Sequence, residues 1–319
     1  MGYSDGAIRL ARPSVVELPR LDDRISFLFV DRARVHQDRT GVLASWEPED
    51  GPTKELRIAA AGLSVLIWGP GSSVTTPAMA TLSRSGTSVL FTGENGAVAY
   101  ACATPLTSAG AWAMAQARTW ADPKKRLTAA RALYRQRFPD MPGLATAPLA
   151  QLRGMEGARM KVAYQQLAAQ YKIARWHRET RSELQEDQVN PLLNLANSIL
   201  YGVALSACSA LALNPALGVI HEGAASALLF DLADLYKAET SLPLAFRFAS
   251  WPDGAARLRK QMREYLWKKR VLEGMVSVLG DLFGPEVHPA SGDVLLDDHD
   301  NRVEGMRNYG ATHSEPGQV

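Results

Sequence analysis

The residues that could do chemistry are concentrated between positions 218 and 240, in the segment GVIHEGAASALLFDLADLYKAET. His221 lies between two glycines, and Asp231, Asp234 and Lys237 follow at intervals of three residues, which places them along one side of a helix. Apolar side chains surround these carboxylates, so we expect them near a buried face, where a charge needs a partner or a metal ion. A hydrogen-bonded structural histidine with solvated aspartates is the commoner alternative for such a segment taken alone.

A single helix cannot bring His221 and Asp234 to one ion. They are 13 residues apart, which corresponds to roughly 20 Å along a helix. The glycines at positions 218 and 223 allow a sharp turn of the chain. We therefore predict that His221 lies in a turn and that Asp234 lies on the helix that follows it.

The composition restricts the class of protein. The chain has 319 residues, of which 46% are hydrophobic, and this is enough for two domains with cores of their own. Two cysteines are too few for a disulfide framework or a cysteine-rich zinc site. The first residues lack the apolar segment of a signal peptide, and polar residues interrupt the most apolar run, 199–220. These features predict a cytoplasmic protein that does not cross a membrane.

The charge is unevenly distributed although the net charge is only +2. Residues 286–319 contain seven acidic residues and two arginines, whereas residues 1–285 contain 33 basic and 26 acidic residues. Two segments, 118–137 and 257–270, each contain seven basic residues and one acidic residue. Such clusters suit a polyanion such as a nucleic acid, although basic helix faces are often only solvated.

The pattern of apolar residues predicts an α+β fold in which a β-rich, sandwich-like domain precedes a larger all-α domain. Strands are predicted at 24–30, 32–37, 42–46, 63–69, 87–93 and 97–103, with a short helix from 74 to 83 capped by a serine. Helices are predicted at 124–137, 151–171 and 191–213, and basic helices are predicted within 252–283. The domains are assigned to residues 1–106 and 107–285, followed by an acidic tail, 286–319, that is expected to be disordered.

Glu156 joins His221 and Asp234 in a wider pattern. The segments LRGMEGAR, PALGVIHEG and DLADLYK, together with LPRLDDRISFLFV, RALYRQRFPD and SILYGV, occur in this order between residues 18 and 282. In their order and spacing they resemble the CRISPR spacer-acquisition integrase, the Cas-one family, and its type I-E branch most of all. Each segment is weak on its own, whereas the ordered set is specific.

The resemblance implies a function and a ligand set. It implies a β domain joined to a helical catalytic domain that inserts DNA spacers into a CRISPR repeat. Glu156, His221 and Asp234 would be the ligands of Mg²⁺ or Mn²⁺, and these residue types suit either ion. Asp231 and Lys237 would line the same site, so that Asp231→Ala is expected to be milder than the loss of a ligand.

The resemblance also implies partners. The family forms homodimers, and two of them bracket a dimer of the small Cas-two protein in a heterohexamer that binds double-stranded DNA. Seven basic residues are the candidates for DNA phosphate contacts: Arg131, Arg135, Arg153, Arg159, Lys161, Arg257 and Arg259. Arg131→Ala and Arg257→Ala are expected to weaken DNA binding and its salt dependence, unless these arginines form surface salt bridges instead.

Five positions depart from the branch. Glu222 and Ala224 stand where the branch has threonine and lysine, Thr76 replaces a histidine, and Val98 replaces an arginine. Arg32 aligns with an aromatic residue that wedges the duplex end in the best-known member. These changes leave the three proposed ligands in place but reduce the basic lining around them.

Three functions remain open from the sequence. The first is a metal-dependent integrase and endonuclease, in which a spacer 3′-hydroxyl attacks a repeat phosphodiester. The second is a standalone metal-dependent repair nuclease for branched DNA, and the third is a catalytically weak DNA-binding scaffold. Dependence on the small partner distinguishes the first from the second, and metal-dependent strand transfer distinguishes both from the third.

Overall fold

The fold is taken from a computed structural model, which describes residues 25–48, 51–93, 99–104, 110–173, 176–179, 187–287, 295–296 and 302–303. The predicted domain boundary at 106/107, the substituted position Val98 and most of the acidic tail lie outside these residues. Within the tail, the structure describes one antiparallel pair of two-residue strands, Leu295–Leu296 and Arg302–Val303.

The N-terminal part of the chain forms two four-stranded sheets. Its elements are β1 (Ile25–Val30), β2 (Arg34–Asp38), β3 (Gly41–Trp46), β4 (Lys54–Ile58), β5 (Leu63–Trp68), β6 (Ser73–Val74), α1 (Thr76–Arg84), β7 (Ser88–Thr92) and β8 (Ala99–Ala103). The first sheet has the order β1-β5-β7-β8, in which only the β7–β8 pair is antiparallel. The second sheet has the order β4-β3-β2-β6. The two sheets share a buried core, to which Val35 and Val42 contribute from one sheet and Leu66 and Val89 from the other, so the sandwich-like prediction is confirmed.

The predicted serine cap of the first helix is wrong. Ser73 and Val74 pair with β2 as a short parallel strand, and helix α1 begins only at Thr76 after Thr75. The side chain of Ser72 instead accepts a hydrogen bond from the backbone N–H of Ala33, at 3.3 Å. Ser72 and Ser73 are therefore engaged with the chain around β2 and do not cap helix α1.

The rest of the described chain is helical. Its elements are α2 (Ala111–Ala121), α3 (Pro123–Arg137), α4 (Leu149–Gln170), α5 (Val189–Ala210), α6 (Ala227–Lys237), α7 (Ser241–Phe248), α8 (Gly254–Lys268) and α9 (Val271–Phe283). Of the last two, α8 is basic as predicted, whereas α9 is apolar and packs into the core. An N-terminal β part followed by a helical part is the predicted fold class.

Helix α5 is the centre of the molecule. It is long and apolar enough to cross a membrane by length and composition, but 89% of its most apolar window is buried inside the protein. Gly202 on α5 lies against Val65 of β5 and Leu90 of β7, where a Cβ atom would approach Val65 to 3.3 Å. The apolar strand β5 is therefore covered on both faces. Helix α5 packs against this sheet and shares one hydrophobic core with the helices that carry the candidate site.

Candidate active site

His221 lies in a turn whose backbone is held by one carboxylate. Asp231 accepts hydrogen bonds from the backbone N–H groups of Val219 (2.6 Å), Ile220 (3.1 Å) and His221 (3.0 Å). Its Oδ1 also lies 2.7 Å from Nδ1 of the His221 ring. At Gly218 a Cβ atom would lie 2.6 Å from the carbonyl oxygen of His221, so the turn needs a glycine there. The predicted turn before helix α6 is therefore found.

Asp231 is buried behind the His221 turn, whereas the sequence predicts that it lines the site. The residue is 1% exposed, and its carboxylate faces the turn that carries His221, where four donors surround it. The described contacts of this carboxylate are therefore with the turn and ring of His221. Its hydrogen bond raises the pKa of His221 above the ordinary value, and burial of the ring opposes this effect.

Two arginines bind carbonyl oxygens of the same turn. Nε of Arg126 on α3 donates to the carbonyl oxygen of Val219 at 3.1 Å, and Nη2 of Arg153 on α4 donates to the carbonyl oxygen of Ile220. Arg126 also forms an ion pair with Glu222 at 2.8 Å. Arg153, which was predicted to contact DNA phosphates, is therefore already used to hold the His221 turn.

Glu156 and Asp234 converge on a single cation. Nη1 of Arg137, at the end of α3, donates to Oε1 of Glu156 and lies 3.4 Å from Oδ2 of Asp234. The hydroxyl of Tyr134 donates to the other oxygen of Glu156, Oε2, at 2.8 Å. Sequence reasoning missed both residues, although they belong to the RALYRQRFPD segment that it singled out.

Lys237 neutralises Asp234 from within the same helix. Its Nζ lies 2.6 Å from Oδ1 of Asp234 and donates to the hydroxyl of Tyr201 at 3.0 Å. Burial favours the neutral form of Asp234, but Lys237 and Arg137 outweigh burial and hold the pKa of this carboxyl below its ordinary value. Asp234 is therefore ionised at neutral pH, as a metal ligand must be.

The donor set fits a divalent cation in part. Glu156 and Asp234 present oxygen atoms to one common position, and Asp231 fixes His221 through Nδ1, which leaves Nε2 as the ligating nitrogen. Among the described residues, however, no three of the histidine, cysteine, aspartate and glutamate side chains come close enough to hold a common ion. The structure brings Glu156 and Asp234 together on Arg137, and it places His221 in the adjacent turn.

The seven predicted DNA-binding residues are not equivalent. Arg131 donates to the carbonyl oxygen of Ala147 at 2.9 Å, and Arg159 forms two hydrogen bonds of 3.0 Å with Asp140. Nε of Arg257 lies 2.7 Å from Asp253. Half-buried Arg259 packs over the ring of Phe29 at 5.0 Å. Arg135 and Lys161 are exposed, and Lys161 lines a cleft of about 660 Å³ beside α4.

Comparison with known proteins identifies the family. The family model described as "CRISPR associated protein Cas1" matches residues 27–145 and 144–249. The chain belongs to the Cas1 family. It is 35% identical to the CRISPR-associated endonuclease Cas1 2 of Thermus thermophilus, over 95% of this chain and 94% of that protein. It is 31% identical to the CRISPR-associated endonuclease Cas1 of a Clostridium species, over 93% of this chain and 98% of that protein.

A solved structure of a Cas1 protein has the same fold. The crystal structure of a TtCas1–DNA complex superposes on this chain with a TM-score of 0.72 at 33% identity, over 88% of this chain and 100% of that one. The Cas1 family match contains Glu156, His221 and Asp234 and ends before Arg257 and Arg259.

We expect the exposed cations, and not the paired ones, to govern affinity for DNA. Arg135→Ala and Lys161→Ala should each weaken binding of duplex DNA and reduce the slope of log Kd against log salt by about 1, because one phosphate contact is lost. Arg131→Ala should instead lower the melting temperature, since it removes the donor to the Ala147 carbonyl. Fluorescence anisotropy at several salt concentrations measures the slopes. Unchanged slopes for both exposed positions would mean that neither residue contacts DNA.

Proposed function

We propose that this Cas1 protein is a metal-dependent DNA integrase and endonuclease of CRISPR adaptation, of the type I-E branch. The observation that carries the proposal is the convergence of the Glu156 and Asp234 carboxylates on one cation position, next to a His221 turn held by a buried aspartate. Two ionised carboxylates and an imidazole are donors that Mg²⁺ and Mn²⁺ accept. The names of the similar proteins, CRISPR-associated endonucleases, agree with phosphodiester chemistry.

Glu156, His221 and Asp234 would hold the ion. When bound, a divalent ion polarises a phosphoryl oxygen and makes an attacking hydroxyl more nucleophilic at neutral pH. Tyr134 fixes one oxygen of Glu156, and Lys237 fixes one oxygen of Asp234, so each carboxylate directs its second oxygen to the common position. Asp231 and Arg153 hold the turn that presents His221. These contacts would hold the three proposed ligands in place before the DNA substrate binds.

Double-stranded DNA, as spacer precursor and as CRISPR repeat, is the proposed substrate. The excess of basic residues over residues 1–285 supports this proposal, as do the exposed side chains of Arg135 and Lys161, of which Lys161 lines the cleft next to α4. A structure of a similar protein bound to DNA supports it further. A homodimer, a heterohexamer with the Cas-two protein and a cytoplasmic location are proposed from the resemblance and composition.

Strand transfer tests the proposal. A labelled duplex with 3′-hydroxyl ends, mixed with repeat-containing DNA, the chain and its small partner, should become joined to the repeat with Mg²⁺ or Mn²⁺. EDTA should abolish joining, because without the divalent ion no metal cation offsets the negative charge that develops on the phosphorane next to the two carboxylates. A duplex with 3′-deoxy ends is the control, since it lacks the nucleophile. Cleavage of branched DNA without joining would favour a repair nuclease, and binding without either reaction would favour a scaffold.

A further inference from the structure

Arg137 is a buried arginine with few good partners. Its side chain is 7% exposed, and its guanidinium stacks over Phe138 at 4.8 Å. Nη2 has the thioether sulfur of Met160 as its acceptor, at 3.4 Å, and buried Nε has no hydrogen-bond partner among the described residues. Thioether sulfur is a weak acceptor. The ion pairs of Nη1 with Glu156 and Asp234 therefore provide most of what keeps this cation in place.

The oxygen atoms that Arg137 contacts are the ones left over by the other partners. Tyr134 binds Oε2 of Glu156, and Lys237 binds Oδ1 of Asp234. Arg137 binds the remaining two, Oε1 and Oδ2. These are the same two oxygens that a metal ion between Glu156 and Asp234 would use. The guanidinium and the ion cannot both contact Oε1 of Glu156 and Oδ2 of Asp234. Two cations bound to the same oxygens would lie close together, and their repulsion is strong where water is excluded.

The charges lead to the same conclusion. Glu156 and Asp234 carry two negative charges, and Arg137 and Lys237 carry two positive charges, so the cluster is neutral without an ion. A divalent cation would add two positive charges to a largely buried cluster. This excess is relieved when one cation moves away from the carboxylates or when a phosphate group binds.

We propose that Arg137 is an internal counter-cation that holds Glu156 and Asp234 together before the metal ion binds, and that the ion displaces it from these carboxylates. The proposal rests on the metal site of the proposed function. The guanidinium offsets the repulsion between the two carboxylates and so keeps them together. It also lowers the affinity for the metal ion, because the ion must displace it. Once displaced, its donors become available to an acceptor such as a DNA phosphate.

Metal binding in the absence of DNA tests this competition. Isothermal titration with Mn²⁺ should show that Arg137→Gln binds the ion about 10-fold or more tightly than the unmodified chain, because the ion no longer has to displace a cation. The melting temperature of Arg137→Gln without metal should fall, and Mn²⁺ should raise it by more than it raises that of the unmodified chain. Lys124→Gln removes one positive charge from the same helix and should leave Mn²⁺ affinity within about twofold.

A second measurement on the unmodified chain does not depend on the folding of a variant. Phenylglyoxal labelling followed by mass spectrometry should find Arg137 protected without metal and reactive with Mn²⁺, while exposed Arg135 reacts in both states. Mn²⁺ binding without a gain in affinity in Arg137→Gln, or without exposure of Arg137, would overturn the competition and leave the metal site intact. No Mn²⁺ binding in either chain would overturn the competition and the metal site together.

Discussion

Glu156→Ala and Asp234→Ala are each expected to slow DNA strand transfer by about 100-fold or more while binding of duplex DNA persists. Each substitution removes one of the two carboxylates that converge on the proposed ion position. The double variant should be little worse than either single variant, since an ion held by both carboxylates is already lost when one is removed. Single-turnover assays of a labelled duplex measure all three rates.

Stability and DNA affinity must be followed in the same samples, because each alanine also leaves Arg137 short of an acceptor. Glu156→Gln keeps the volume and the partner of Tyr134 but removes the charge, so it should lose transfer with a smaller change in melting temperature. Gln166→Ala, at an exposed position of the same helix α4, is the matched control. Multiplicative losses in the double variant would mean that Glu156 and Asp234 do not act on one ion.

Asp231→Ala is expected to destabilise the protein by about 2 to 4 kcal/mol, because buried backbone N–H groups lose their acceptor. The N–H groups concerned are those of Val219, Ile220 and His221, which all bind this carboxylate. This is an effect on stability, whereas the milder outcome expected from the sequence concerned strand transfer relative to the loss of a ligand. Urea unfolding of both chains measures the change in free energy.

The position of His221 should change together with stability. Asp231→Asn keeps an acceptor oxygen, so it should destabilise less than alanine, but its amide group opposes the backbone donors and still disturbs the imidazole. Asp281→Ala, an exposed carboxylate on α9, is the control and should change the free energy of unfolding by less than about 0.5 kcal/mol. Normal stability in Asp231→Ala would show that other groups hold the turn.

The main elements of the fold follow from local pattern. The apolar run at 63–69 predicts a strand, and β5 is that strand, with all six of its residues buried. The apolar segment from 191 predicts the buried helix α5. The distance between His221 and Asp234, together with two glycines, predicts the turn before α6, which is confirmed. Strand β4, with four of its five residues exposed, was not predicted, because its apolar pattern is too weak.

The partners of the charged residues could not be predicted in the same way. Arg137 meets Glu156 and Asp234 across 19 and 97 residues of sequence, and only the packing of α3 against α4 and α6 brings them together. Arg131 and Arg159 looked available for DNA because their acceptors, Ala147 and Asp140, are distant along the chain.

Two features of the charged residues are predictable from the sequence. Arg257 follows Asp253 by four residues, which is the ordinary spacing of a helical ion pair. Asp231 lies deeper among leucines than Asp234 does, and a buried carboxylate next to a glycine-bounded turn is typical of a residue that binds backbone N–H groups. The sequence does not determine which of Asp231 and Asp234 points towards Glu156.

Strand transfer by His221→Ala in the presence of Mn²⁺ is the decisive test of the proposed metal site. His221 is 37% exposed and contributes little to the core, so the variant should fold, bind duplex DNA and associate with the small partner. If His221 is the third ligand of the site, transfer of a labelled duplex should fall by about 100-fold or more. The melting temperature should fall only slightly, because Asp231 loses the ring as a partner but keeps its three backbone N–H donors. Transfer at the rate of the unmodified chain by a folded His221→Ala protein would show that His221 is not a ligand and would contradict the proposed three-residue metal site.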